Sequence, residues 1–113
     1  GTLAAACALH ARDRGWPLAL QLLIYPGLAS EQATESHGRF ANGYLLDTET
    51  VQWFFSQYLR DDADRLDWRF APLAARDLSR VAPAFMALAE YDPLVDEGVA
   101  FARAEARVRA VAE

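Results

Sequence analysis

Two apolar segments, 18–25 (LALQLLIY) and 84–91 (AFMALAEY), constrain this chain more than any other feature. Each is nearly all apolar, lacks the alternation of a half-wetted strand, and stops at a proline: Pro26-Gly27 after the first, Asp92-Pro93 after the second. Strands of this kind are expected to be buried on both faces of a parallel sheet. A helix, a short turn and then such a strand make half of a βαβ unit, so the expected fold class is α/β. Few helices remain among the 113 residues to cover both faces of even a two-stranded sheet. Parallel sheets usually have four or more strands. The chain therefore reads as a section of a larger parallel sheet, with flanking helices and a lid-like excursion between the strands. The competing reading is a free-standing small α/β interaction domain.

The helices follow from propensity and caps. Residues 2–14 (TLAAACALHARDR) are expected to be helical, with Leu3, Cys7 and Ala11 on one apolar stripe and Arg12 and Arg14 in the last turn. Gly15 suits a left-handed C-terminal cap, and Pro17 prevents continuation. No Ser, Asp or Asn precedes this helix, which suggests a start inside a longer protein. Residues 28–47 are turn-rich and polar, whereas 48–59 (TETVQWFFSQYL) form a second helix with a heavy aromatic load. A last helix is expected over about 95–113, with Arg103/Arg107 and Glu105/Arg109 spaced i,i+4 on its wetted side.

Composition excludes several classes. The chain is 53% apolar and 24% charged, which is globular and suits one domain. Its longest apolar stretch, Leu18 to Tyr25, contains Gln21 and falls far short of the ~20 residues that a bilayer helix needs. A net charge of −5 without a basic cluster does not match nucleic acid or an anionic membrane surface. All 11 basic residues are Arg, which with the abundant Ala reads as a coding bias. The single cysteine, Cys7, excludes an internal disulfide framework and is expected to be a small core residue. No secretory leader is visible, which points to the cytoplasm, with the true N-terminus upstream of Gly1.

The strongest local chemical signal is Tyr91-Asp92-Pro93-Leu94. In open α/β sheets functional side chains collect at the carboxyl ends of strands. Asp92 is expected at such an end, with Pro93 at the first position of the next helix. The alternative is that Asp92 only caps that helix. Asp96 and Glu97, near the helix start, read as partners of its dipole. Ser30, Ser36, Ser56 and Ser79 all lack the flanking glycines of a G-x-S-x-G nucleophile elbow. His10 reads as a surface or satisfied core residue, and His37, in the polar loop, is unassigned. Neither forms a metal cluster with nearby acids, so no metal or other cofactor is expected. The run Asp61, Asp62, Asp64, Asp67 resembles a calcium loop only faintly. With Asp62 as first ligand, Asp67 stands where the invariant Gly belongs and Leu73 where the bidentate Glu belongs.

A family resemblance emerges from the ordered set of motifs. Gly1-Thr-Leu-Ala-Ala-Ala6, Leu22-Leu-Ile-Tyr-Pro26, Gly43-Tyr-Leu-Leu46, Trp53-Phe54, Tyr58-Leu59, Pro72-Leu73, Asp77-Leu-Ser79 and Asp92-Pro-Leu-Val-Asp-Glu-Gly98 resemble the hormone-sensitive-lipase-like α/β-hydrolases, which are carboxylesterases and lipases. The resemblance implies that Gly1 is the last glycine of the nucleophile elbow, with the serine just upstream. It makes Asp92 the triad acid and puts the catalytic histidine one strand beyond the last helix. It further suggests that Leu46, Trp53 and Phe54 approach the substrate, a small-molecule ester, and it allows a homodimer of the complete enzyme. The competing function is a catalytically inactive ligand-binding relative that keeps the fold and loses the histidine. Residues 1–113 alone are expected to be inactive, because nucleophile, oxyanion hole and base all lie outside them. The tail 101–113 lacks the Gly-Val turn into a further strand that the family usually shows.

Overall fold

Both expected strands form and lie side by side in parallel. A computed structural model describes residues 1–105 throughout and the backbone of residues 108–112. In chain order the elements are α1 (Thr2–Arg14), β1 (Gln21–Ile24), α2 (Glu35–Arg39), α3 (Thr48–Tyr58), two short 3-10 turns (Asp62–Leu66 and Pro72–Ala74), β2 (Ala84–Leu88), α4 (Val95–Ala104) and β3 (Val108–Ala112). The sheet has the order β1-β2-β3 and all its pairings are parallel. Register runs from Gln21 opposite Ala84 to Ile24 opposite Ala87. On the other side of β2 it runs from Ala84 opposite Val108 to Leu88 opposite Ala112.

Helix α1 has the boundaries that its composition and caps imply. Gly15 takes the left-handed conformation at φ 70°. Its N–H donates to Arg12 O at 3.0 Å while Trp16 N–H donates to Ala11 O at 2.8 Å, so the last turn closes as a Schellman motif. The stripe it buries differs from the expected one. Ala5, Ala8 and Leu9 enter the core, while Leu3 and Cys7 are exposed.

The last helix is shorter than expected. It ends at Ala104, and the chain returns to the sheet as β3. Glu105 is buried at the helix end instead of lying on a wetted face. Of the residues expected to pair on that face, Arg107 and the side chain of Arg109 lie outside the described residues. The ten-residue helix leaves enough chain for a parallel crossover, and the apolar-rich tail supplies the strand.

Burial on both strand faces is not what the described residues show. Gln21 and Leu23 of β1 are buried while Leu22 and Ile24 are exposed, and on β2 Ala84, Met86 and Leu88 are buried while Phe85 is exposed. Helices α1 and α4 account for this by packing on the same face. Ala5, Ala8 and Leu9 of α1 and Phe101 of α4 close over Leu23, Met86 and Leu88, and Leu28, Leu78 and Val81 complete the core. Each large apolar side chain removed from water there contributes roughly 1.5–3 kcal/mol. Among the described residues, nothing comparable covers Leu22, Ile24 and Phe85.

The excursion between β1 and β2 is anchored at its far end by Arg12, which donates to Asp77 O at 2.6 Å and to Ser79 O at 3.0 Å. Its middle is a wetted run of Asp–Arg pairs, Arg60 with Asp64, Arg65 with Asp62 and Arg69 with Asp67. These acids face arginines and backbone amides, as a solvated junction requires. Hydrogen bonding from Arg69 holds the Asp67 carboxyl down at about 2.

Candidate active site

The carboxyl edge of the sheet gathers the polar groups. Beyond Leu88 the chain leaves β2 and turns at Asp92-Pro93. Asp92 Oδ1 accepts the Leu94 N–H at 2.8 Å, and Asp92 O accepts the Val95 N–H at 3.1 Å. Helix α4 starts only at Val95, so Pro93 precedes the helix instead of opening it. Asp92 therefore shapes the turn with one carboxylate oxygen. Its neighbour Tyr91 is fixed by its aromatic neighbours, edge-on to Phe40 at 5.8 Å and stacked on Tyr44 at 6.0 Å.

The tip of β1 meets the start of α1 at the same edge. A β-carbon on Gly1 would fall 2.5 Å from both Cα and Cβ of Pro26, so only glycine fits this approach. Thr2 Oγ1 donates to Gly27 O, which fastens the first turn of α1 to the residue after that proline. Tyr25, between strand and proline, has φ 46°, a left-handed conformation that costs a non-glycine residue roughly 1–2 kcal/mol.

Between these two tips lies a buried polar cluster that the sequence did not reveal. Glu97 projects from the first turn of α4 and is 2% exposed. Its Oε1 accepts the backbone N–H of Leu28 and, at 3.2 Å, that of Ala29. Its Oε2 lies 3.0 Å from His37 Nε2, and the His37 side chain is equally buried. The Thr34 N–H points at His37 Nδ1 at 3.2 Å, which makes Nδ1 an acceptor and leaves the ring proton on Nε2, donating to Glu97. Thr34 and His37 also form a reciprocal capping box for α2. Ser36 adds two ties: its N–H donates to Asp96 Oδ2 at 2.8 Å and its hydroxyl to Pro93 O at 2.7 Å.

Burial dominates the electrostatics of the pair. It pushes the Glu97 carboxyl up to about 7, against the pull of the Leu28 and Ala29 amides, and the charge of Asp92 pushes the same way. Burial also lowers His37, against the raising effects of Asp96 and Asp92.

Position near a helix start suggests a surface role for Glu97 on the dipole; in the structure it is a core residue instead. The helical period holds the signal, because Glu97 and Phe101 are four residues apart and share the buried face of α4. For His37 the signal is the Thr34-x-x-His37 spacing, a capping box with histidine in the usual Glu or Gln place.

The other candidates separate clearly. Leu46 and Phe54 line a cavity of about 260 Å³ with Thr2, Phe55, Phe70 and Leu94. Phe54 also faces an open groove of about 470 Å³ that reaches Gly1, Leu3 and Tyr58. Trp53 is not among the lining residues of either; it is exposed and stands edge-on to Phe54 at 5.4 Å. His10 lies against Trp16, and Ser36 is committed to Pro93. Among the described residues no group of three or more His, Cys, Asp or Glu side chains could hold a metal ion, and no helix is long and apolar enough to cross a membrane.

Comparison with known proteins agrees with this geometry. A family model described as the alpha/beta hydrolase fold matches residues 1–112. An ethyl acetate hydrolase from Pseudomonas putida is 49% identical over 84 residues, 74% of this chain and 26% of that protein. A carboxylic ester hydrolase, LipN, from Mycobacterium tuberculosis is 46% identical over 110 residues, 92% of this chain and 29% of that protein. A thermostable esterase from Pseudomonas putida ECU1011 superimposes with a TM-score of 0.94 at 35% identity, covering 98% of this chain and 37% of the esterase. The chain thus spans between about a quarter and two fifths of these proteins.

Proposed function

The chain belongs to the α/β-hydrolase family, in its hormone-sensitive-lipase-like branch, and from that premise we propose that the protein is a serine carboxylesterase with Asp92 as its triad acid. The observation that carries this reading is the shared sheet edge. Asp92 follows the central strand, and Gly1 packs against Pro26 at the tip of the neighbouring strand. A serine just before Gly1 would stand one strand away from Asp92, and an imidazole arriving after β3 would come from the strand on its other side. The order Ser…Asp…His is that of the α/β-hydrolase fold.

In this reading residues 1–113 are a section of the catalytic domain. The imidazole takes the serine proton as the hydroxyl attacks the ester carbonyl, and water later releases the acyl group. The part played by this chain is to hold the Asp92 carboxylate against the imidazole, which selects one tautomer and stabilises the charged form. The apolar cavity at Leu46 and Phe54 suits the uncharged acyl or alcohol portion of a small ester. Trp53 supports Phe54 from outside. No metal or organic cofactor enters the reaction, and the protein works in the cytoplasm without membrane or nucleic-acid partners.

The test is turnover of p-nitrophenyl acetate by the complete protein that contains this chain. Asp92→Asn is expected to lower kcat by about 10³–10⁴-fold with the fold intact. Residues 1–113 expressed alone are expected to show no turnover. An Asp92→Asn enzyme within tenfold of the parent would refute the assignment.

A further inference from the structure

We propose that Glu97 is a positioning residue that sets the separation between the first turn of α1 and Asp92, and so the geometry of the triad. This inference rests on the esterase reading above. A continuous path of hydrogen bonds and short chain segments connects the two places. Thr2 is bonded to Gly27, Leu28 and Ala29 follow directly in the chain, and both donate to one Glu97 oxygen. Glu97 in turn lies in the first turn of the helix that Asp92-Pro93-Leu94 introduces, and Leu94 N–H is held by Asp92 Oδ1. One carboxylate therefore joins the loop after β1 to the turn after β2.

The remaining ties act on the same turn. His37 occupies the second oxygen of Glu97, and Ser36 holds the Pro93 carbonyl, next to Asp92 itself. Short helix α2 thus carries two adjacent residues that grip the Asp92–Glu97 segment. A carboxyl group buried to this degree is costly unless every oxygen is satisfied, and here each is. Misplacement of a catalytic group by about 1 Å can reduce rate 10²-fold.

The discriminating variant is Glu97→Gln in the complete protein. Glutamine keeps the size of the side chain but has a single acceptor, so its NH2 must meet either the His37 Nε2–H or the Leu28 and Ala29 amides, donor against donor, and one of the two ties is broken. Expected are a ten- to hundredfold lower kcat on p-nitrophenyl acetate with KM within twofold, and at least tenfold faster hydrogen exchange of the Leu94 amide. His37→Gln, a second variant for the case that the first does not fold, is expected to lower kcat about threefold with KM again unchanged. Values of kcat within twofold of the parent in both variants, or Leu94 exchange unchanged in a folded Glu97→Gln protein, would overturn the role of Glu97. Exchange needs no turnover. A parent protein that hydrolyses no ester, yet shows Leu94 exchange sensitive to Glu97, would count against the esterase reading instead.

Discussion

Glu97 and Phe54 line the same cavity, yet each breaks the usual rule of burial. The carboxylate is 2% exposed and the phenyl ring 52%. Glu97 is held inside by the two amides and an imidazole that satisfy its oxygens. Phe54 stays on the outside of these 113 residues with Trp53, Tyr58 and Leu3, an apolar surface for the rest of the protein or a ligand to cover. The contrast separates two tasks at one rim. Satisfied polar groups inside define where backbone turns sit, whereas the apolar groups at the mouth are those proposed to meet the ester. Substitutions in the first region should register as stability and kcat, and those in the second as KM.

Glu97→Ala tests the first half most severely. It strips the Leu28 and Ala29 amides and the His37 Nε2–H of their acceptor at a buried position. Each buried donor left without an acceptor costs roughly 1–3 kcal/mol, so the three together should cost about 3 kcal/mol or more, which a urea titration of the complete protein reads as a lower midpoint at constant slope. A loss below about 1 kcal/mol would show that water or a shifted side chain replaces Glu97 with ease.

Phe54→Ala addresses the other half. A half-exposed ring contributes little to folding, so the unfolding free energy from a urea titration should change by less than about 0.5 kcal/mol. Packing of the ring on the ester's apolar portion is worth about 1–2 kcal/mol, or roughly five- to thirtyfold in kcat/KM, carried by KM. Steady-state kinetics on acetate and longer acyl esters check this. If stability falls as much as substrate affinity, α3 is a structural helix and the contrast with Glu97 disappears.

How much of this is visible in residues alone follows from the range of each interaction. Helix α1, the parallel pairing of the two apolar strands and the position of Asp92 after β2 depend on local propensity, caps and apolar runs, and all are readable. That one sheet face stays uncovered is also readable, from the shortage of helices within 113 residues, but which face is not, because Leu22, Ile24 and Phe85 look as apolar as the residues that are buried. The expected last helix overshoots because Ala and Arg favour helix locally, while β3 forms by pairing with β2. The His37–Glu97 pair joins residues 60 apart, and no local rule connects a histidine in a polar loop to a helix-start acid across that span. Its two halves carry faint signals, and only the fold combines them.

The finest test of the contrast is the pH dependence of stability, since Phe54 cannot titrate and Glu97 can. An unfolded Glu97 ionises near 4.5, while burial pushes the folded carboxyl up to about 7. A raised acid stabilises the fold fully below 4.5, and that contribution is lost as pH rises through 7, with a ceiling of about 3 kcal/mol. His37 works in the opposite sense. Its lowered value gives stability that is present above 6.5 and lost as pH falls through the folded value. Asp92 and Asp96 also act on this pair and remain in every variant, so only a difference between proteins isolates Glu97. Urea midpoints of the parent and of Glu97→Gln, measured from pH 5 to 8, should diverge, the parent losing stability relative to the variant as pH rises. Parallel curves would mean that the carboxyl titrates alike in both states, as it does when solvent reaches it. Glu97 would then belong with Phe54 on the wetted side of the rim.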